Sequence, residues 1–298
     1  MHVDGGASAV CDPEPGNGKE RLLFGTAGVP PSTSRPSSLL GVAQIRTLGL
    51  DCMELAFVRS VRMGPDAAAR VKQAAREQRV ALSVHAPYYI NLNSSEPDKI
   101  EASRTRILKA ARVGWECGAR HIVFHAGFYH EDPVERVYER IRLQLSELGE
   151  QLRAEGVDVL LRPETTGKDS QFGTLAEIVE LSRELDMVAP CIDFSHVHSR
   201  TQGNNSYDAF VAQLTYVEER LGGRALSDLH IHVSGIAYGA RGERKHLMLD
   251  DSDLAYEDLL RALIDVGGGG RVICESPNTE QDALLLQRTY RRLLGPAS

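Results

Sequence analysis

Short apolar runs alternate with longer amphipathic stretches from Leu22 to the end of the chain, and several of the runs stop on a residue able to ligate a metal. Val80 to Val84 precede His85, His121 to Phe124 precede His125, and Val157 to Arg162 precede Pro163 and Glu164. Pro190 to Ile192 likewise precede Asp193, Leu229 to Ile231 precede His232, and Arg271 to Cys274 precede Glu275. The runs have strand length, and between them apolar residues recur at helical spacing, as Ala68, Val71, Ala74 and Ala75 do between Asp66 and Arg79. The pattern predicts strands at 22–25, 52–56, 80–84, 121–124, 157–161, 191–193, 229–233 and 272–274. It predicts helices at 37–48, 65–78, 97–117, 133–154, 174–186, 206–221, 253–266 and 279–293.

Eight strand–helix repeats predict an α/β fold, a single (β/α)8 TIM barrel. Pro97 and Pro133 stand near first helical turns, and Gly49, Gly118 and Gly156 each follow a helix, where a left-handed cap is expected. A doubly wound open sheet is the competing architecture. It is disfavoured because no GxGxxG follows the first strand, and because ligand-type residues closing so many separate strands fit a closed barrel better. In a barrel the C-terminal strand ends converge on one face, so His85, His125, Glu164, Asp193, His232 and Glu275 are expected to meet there.

The composition sets bounds on this picture. A chain of 298 residues, 42% hydrophobic and 25% charged, can bury a full core. Residues 1–20 carry Gly, Pro, Asp and Glu with no apolar period, so a disordered extension is expected ahead of a barrel over 21–298. No stretch approaches about 18 consecutive apolar residues, and the start lacks the basic and apolar regions of a signal peptide. A cytoplasmic protein with no membrane partner is expected, and a monomer suits so large a self-contained unit. Cys11, Cys52, Cys117, Cys191 and Cys274 form no CxxC pair and read as reduced structural thiols. The formal charge of −7 argues against a broad nucleic-acid-coating surface but leaves a local basic groove open, since metal ligands enter the same sum.

Carboxylates placed directly after buried strands carry a desolvation cost of several kcal/mol unless they are paired or metal-bound. His85, His125, His196, His232 and His246 stand at or after strand ends beside Glu164, Asp193 and Glu275, and few Lys or Arg are there to compensate. Imidazole with carboxylate suits Zn²⁺, and Mn²⁺ or Fe²⁺ can take the same ligands.

Five segments carry a resemblance: His85-Ala86-Pro87-Tyr88-Tyr89-Ile90-Asn91-Leu92, Phe124-His125-Ala126-Gly127, Glu164-Thr165-Thr166-Gly167, Ile192-Asp193-Phe194-Ser195-His196 and Cys274-Glu275. In order and spacing the chain resembles the endonuclease IV family of apurinic/apyrimidinic endonucleases, within the xylose-isomerase-like TIM barrels. The resemblance implies a centre of two or three Zn²⁺ ions. His85 and His125 would hold one ion, with Glu164 bridging to a second held also by Asp193, His232 and Glu275, and His196 would hold the third. The family completes the third ion with an Asp-x-His pair, where this chain offers Gly242-Glu243-Arg244-Lys245-His246; Glu243 and His246 are the matching choice, with Lys245 the competing alignment. His230 and His232 share a strand face, and His232 is chosen because Val233-Ser234-Gly235 follows it.

The implied reaction is hydrolysis of the phosphodiester 5′ to an abasic site in duplex DNA. Ions about 3.5–4 Å apart activate water and clamp the attacking and leaving oxygens of an in-line displacement. Glu164 would hold the bridged pair and Glu275 would position or deprotonate the water. Tyr88 and Tyr89 stand where the family wedges side chains into the base stack. Lys168, Arg200, Arg241, Arg244 and Lys245 fall on loops of the same face, where phosphate contacts are expected. The rival reading is a single-metal sugar isomerase or epimerase of the same superfamily, for which Glu164, Asp193, His232 and Glu275 suffice. A third, a non-catalytic DNA- or metal-binding module, leaves the bridging carboxylate without a purpose.

Overall fold

The computed structural model describes residues 22–295; the expected N-terminal extension lies outside them. Eight parallel strands form one sheet: β1 (Leu22–Ala27), β2 (Cys52–Ala56), β3 (Ala81–His85), β4 (His121–Phe124), β5 (Leu160–Pro163), β6 (Cys191–Asp193), β7 (Leu229–Val233) and β8 (Gly270–Cys274). Their spatial order runs β5-β4-β3-β2-β1-β8-β7-β6. Isolated parallel bridges from Leu161 to Val188 and from Glu164 to Cys191 join the two ends and close the ring. The chain is a (β/α)8 barrel.

The expected helices are present at Ser38–Leu48, Pro65–Gln78, Pro97–Cys117, Val134–Ala154, Leu175–Glu184, Tyr207–Leu221, Tyr256–Asp265 and Glu280–Leu294. Their starts have local causes. The Ser37 and Ser206 hydroxyls accept from the N–H groups of Leu40 and Ala209, and Thr174 with Glu177 forms a reciprocal capping box. Gly49 ends the first helix at φ 77°, a conformation that costs glycine nothing. The fifth strand begins three residues later than the apolar run suggests. Val157 still donates its N–H to Leu152 to finish the preceding helix, so the chain extends only from Leu160.

Three elements beyond the eight repeats crowd the C-terminal face. A helix over Phe194–Thr201 follows β6 directly, the segments Gly235–Gly239 and Gly242–Leu247 form an antiparallel hairpin after β7, and Gly127–Phe128 pairs with Gln171–Phe172. None was expected from periodicity, because each is short and rich in glycine or polar residues.

Strand alternation separates two environments. Phe24, Met53, Val84, Ile122, Leu161, Ile192, Ile231 and Val272 point outward into one continuous apolar layer with Val71, Ile107, Ile141, Leu145, Leu214 and Leu259 of the helices. Helix and sheet approach closely there: a Cβ on Gly114 would lie 2.8 Å from Ile122 Cδ1. The inward positions differ. Apart from a small cluster of Cys52, Ala81 and Ile273, they include Glu54, Ser83, His121, Arg162, Cys191, His230 and Arg271, all buried. Four cysteines, Cys52, Cys117, Cys191 and Cys274, are free and buried thiols; Cys11 lies outside the described residues.

Candidate metal centre

The inward residue at the C-terminal end of each ligand-bearing strand reaches the barrel mouth. Glu164, just past β5, is the hub. Its Oε2 lies 3.3 Å from His85 Nε2 and 3.1 Å from His125 Nε2, and its Oε1 lies 3.2 Å from His196 Nδ1 and 3.4 Å from His232 Nδ1. His232 Nδ1 is 3.5 Å from Glu275 Oε1, and His196 Nδ1 is 3.5 Å from Asp193 Oδ2.

Three groups of donor atoms result, each within 4.8 Å: His85, His125 and Glu164; Glu164, Asp193, His232 and Glu275; and Asp193, His196 and His246. Glu164 belongs to the first two and Asp193 to the last two, so the groups form a chain with a shared carboxylate at each joint. A further group, Cys191, His230 and His232, lies deeper. Both ring nitrogens of His230 are taken there by Glu54 and His121, at 3.0 Å each.

Two of the three elements missed by periodicity complete the third group. His196 rides on the helix that Asp193 itself caps, its N–H donating to Asp193 Oδ1 at 2.7 Å. His246 comes from the hairpin, with Nε2 3.3 Å from His196 Nε2. Gly242, at φ 85°, lets the hairpin touch the loop after β5, where any Cβ would lie 2.0 Å from the Gly167 carbonyl oxygen. The next residue, Glu243, reaches His196 at 3.6 Å and His246 at 3.9 Å. Lys245 is exposed and outside this cluster, and the Arg244 guanidinium packs over Gly239.

The donor set fits divalent cations. Glu164 Oε1, Asp193 Oδ2 and His232 Nδ1 are buried and make no hydrogen bond, only contacts with other ligand-type groups. Orphaned carboxylate and imidazole atoms of this kind are costly without a partner, and a divalent cation would satisfy all three. Three rings are pre-aimed by the main chain. His85, His196 and His246 each set Nδ1 against a carbonyl, of Ala86 at 2.8 Å, Thr165 at 3.0 Å and Glu275 at 3.2 Å. Carbonyls only accept, so Nδ1 carries the proton and Nε2 faces the site.

The electrostatics express the same crowding. Burial opposes ionisation of Glu164, yet the charges of His125 and His232 and the close approach of the His125 and His196 rings hold its carboxyl well below the usual range. Burial disfavours protonated His85, but Glu164 outweighs it and lifts the imidazole to about 9. Burial raises Asp193 despite His196. Deeper in the barrel, burial and the Arg162 and Arg271 charges push His121 well down, and burial takes His230 to about 3 despite Glu54.

Tyr88 and Tyr89 stand 62% and 64% exposed beside the mouth, and the Tyr88 ring is 5.7 Å from that of His85. Arg241, Arg244 and Lys245 are exposed and Lys168 is partly so. Arg200 departs from expectation. Its guanidinium turns inward, donating to Thr166 Oγ1 at 3.0 Å and the Gln171 carbonyl at 2.9 Å and lying over the Tyr129 ring. It braces the loop after β5 rather than facing solvent. His198 is buried, contacts Asp253 at 3.2 Å and packs edge-on to Tyr238 of the hairpin.

Sequence reasoning missed the layer under the centre. Glu54 Oε1 sits 3.1 Å from His232 Nε2, and Glu54 Oε2 accepts from Ser83 and His230. Its signal was available: a lone carboxylate inside the apolar run Cys52-Met53-Glu54-Leu55-Ala56.

A barrel whose strand ends gather histidines and carboxylates into shared donor groups defines a class of TIM barrels with a mouth able to hold metal ions. Residues 42–293 match the family described as Xylose isomerase-like TIM barrel, and the chain belongs to that family. An uncharacterized protein of Methanocaldococcus jannaschii is 45% identical over 273 residues, 91% of this chain and 98% of that protein. The probable endonuclease 4 of Halorhodospira halophila is 26% identical over 232 residues, covering 73% of this chain and 76% of the relative. Among solved structures, endonuclease IV from Thermus thermophilus superposes with a TM-score of 0.69 at 17% identity, over 92% of this chain and all (100%) of that one. A D-tagatose 3-epimerase-like protein superposes with a TM-score of 0.68 at 18% identity, over 92% and 97%. These structural likenesses speak for the barrel alone and do not choose between chemistries.

Proposed function

We propose that this protein is a metal-dependent phosphodiester hydrolase that incises duplex DNA 5′ to abasic sites, in the manner of the endonuclease 4 relatives it resembles. The observation that carries the proposal is the chain of three donor groups joined through Glu164 and Asp193. One ion needs only Glu164, Asp193, His232 and Glu275. His85, His125, His196 and His246 are surplus to that need, and phosphate chemistry uses the surplus.

Zn²⁺, with Mn²⁺ or Fe²⁺ as alternatives, would be held by His85, His125 and Glu164, by Glu164, Asp193, His232 and Glu275, and by Asp193, His196 and His246, with Glu243 beside the last. Ions there supply Lewis acidity toward phosphate oxygens and activate the attacking water. The chain's own residues do the rest. Glu164 and Asp193 fix the spacing between groups, and Glu275, more accessible than either, orients the water and accepts its proton. Tyr88 and Tyr89 offer aromatic faces to bases next to a nucleotide that lacks its own, where extrusion is cheapest. Lys168, Arg241, Arg244 and Lys245 supply phosphate contacts around the mouth; Arg200 acts indirectly, by holding the loop that carries Lys168.

A second reading, sugar epimerisation at the four-residue group alone, is favoured by the completeness of that group. The deciding experiment is incision of a duplex carrying one tetrahydrofuran abasic analogue, which cannot undergo β-elimination. A single cut 5′ to the analogue, lost on chelation and restored by zinc or manganese, is expected. An intact duplex with metal-replete protein, together with epimerisation of a ketose, would transfer the assignment to the second reading.

A further inference from the structure

The buried polar residues behind His232 form a hydrogen-bonded chain with a definite direction. Arg162 has only donors, and its Nη2 lies 3.1 Å from His121 Nε2. That nitrogen is therefore the acceptor, and His121 carries its proton on Nδ1. His121 Nδ1 lies 3.0 Å from His230 Nδ1 and donates to it, which leaves His230 protonated on Nε2. His230 Nε2 donates in turn to Glu54 Oε2 at 3.0 Å, beside the Ser83 hydroxyl at 2.8 Å. Glu54 only accepts, and its remaining oxygen lies 3.1 Å from His232 Nε2. The proton of His232 thus belongs on Nε2, and its lone pair on Nδ1, the atom 3.4 Å from Glu164 and 3.5 Å from Glu275. At the far end the chain is anchored by Asp228, half exposed, which accepts from Arg162 at 2.7 Å.

This arrangement sets His232 apart. His85, His196 and His246 lean on main-chain carbonyls outside the sheet and present Nε2. His232 lies within β7, between β6 and β8, where the carbonyls serve the ladders on both sides. A side chain from across the barrel has to do the same work, and Glu54 sets a carboxylate oxygen 3.1 Å from Nε2.

We infer that Glu54 is a positioning residue: with the Arg162–His121–His230 chain behind it, it fixes His232 as the Nε2–H tautomer, so that Nδ1 ligates the ion shared with Glu164, Asp193 and Glu275. The inference rests on the metal-centre reading above. A carboxylate behind a ligating imidazole holds the ring and strengthens it as a donor. The His232 Nε2–H points off the Glu54 oxygen in this structure; ligation at Nδ1 is expected to align it.

The test titrates metal-stripped full-length protein, wild type beside E54Q and E54D, with cobalt(II) followed by visible absorption. Nitrogen-15 NMR of histidine-labelled, zinc-loaded protein records which ring nitrogen holds the proton. An amide at position 54 cannot accept from both His230 and His232, so E54Q is expected to weaken one ion about 10–100-fold while the ion at His85 and His125 keeps its affinity. E54D recovers part of the loss, and the nitrogen shifts report His232 ligated through Nδ1. Equal weakening of every ion would mark Glu54 as merely structural and overturn the inference, as would ligation through Nε2. Wild-type protein that takes up no cobalt overturns the metal-centre reading and this one with it; E54Q that binds every ion like wild type overturns this one alone.

Discussion

The two faces of the same eight strands obey different rules. Outward, Met53, Ile122, Leu161 and Ile231 meet helix side chains in a continuous apolar layer, where stability comes from area and fit and no partner is unique. Inward, Glu54, His121, Arg162 and His230 each depend on a particular neighbour. A TIM barrel is usually filled by layers of Val, Ile and Leu. Here the filling is polar, which places an ordered hydrogen-bond scaffold directly beneath a cluster of metal-ligand side chains. The outer face specifies that the barrel forms, and the inner face specifies what its mouth can hold.

Substitutions that preserve shape break this comparison most sharply. Glu164→Gln changes little volume yet removes the shared charge of two donor groups. Loss of turnover beyond about 100-fold is expected, with loss of ions in a metal assay, since even outer partners of ligands are worth roughly 10–100-fold. Arg162→Met keeps the packing but strips donors from the Pro190 carbonyl, His121 and Asp228. Destabilisation of about 3 kcal/mol in a denaturant melt is expected. Ile122→Val on the outer face should cost only about 0.5–1.5 kcal/mol in the same melt and leave metal uptake unchanged. If the two melts agreed, the distinction between the faces would collapse.

Much of the outer face was legible in the chain, because apolar periodicity is what packing against helices demands; β2, β4, β6 and β7 follow their runs closely. The candidate ligand positions His85, His125, Glu164, Asp193, His232 and Glu275 were legible for a related reason, since a polar residue ending a buried run has to be explained by something. The inner scaffold was less so. Arg162 and His121 stand inside runs read simply as neighbouring strands, and only the curling of the sheet into a barrel brings His121 of β4 within 3.0 Å of His230 of β7. Arg200 illustrates the converse: its place on a C-terminal-face loop was visible, but not that Thr166 and Gln171 would turn it inward.

Two smaller effects sharpen the picture at the mouth. Tyr88→Ala and Tyr89→Ala should leave stability within about 0.5 kcal/mol, as their exposure implies, while weakening binding to abasic duplex by about tenfold each. Unchanged DNA affinity in both would remove the wedge from the proposal. Metal uptake should also respond to pH with a definite sign. Glu164 lifts His85 to about 9, so the ring is protonated at neutral pH before an ion arrives. Ligation expels that proton, and affinity should rise about tenfold per pH unit for each proton displaced, flattening above about 9. Calorimetry in buffers of different ionisation enthalpy would read the proton release; uptake without it would mean the imidazoles were never protonated.

The most direct test is a crystal structure of zinc-loaded protein with anomalous diffraction measured on both sides of the zinc edge. Three peaks are expected at the mouth: one among His85, His125 and Glu164, one among Glu164, Asp193, His232 and Glu275, and one among Asp193, His196 and His246. A single peak confined to the second group, with the surplus histidines bound only to one another and to carboxylates, would contradict the account and leave a one-metal barrel in its place.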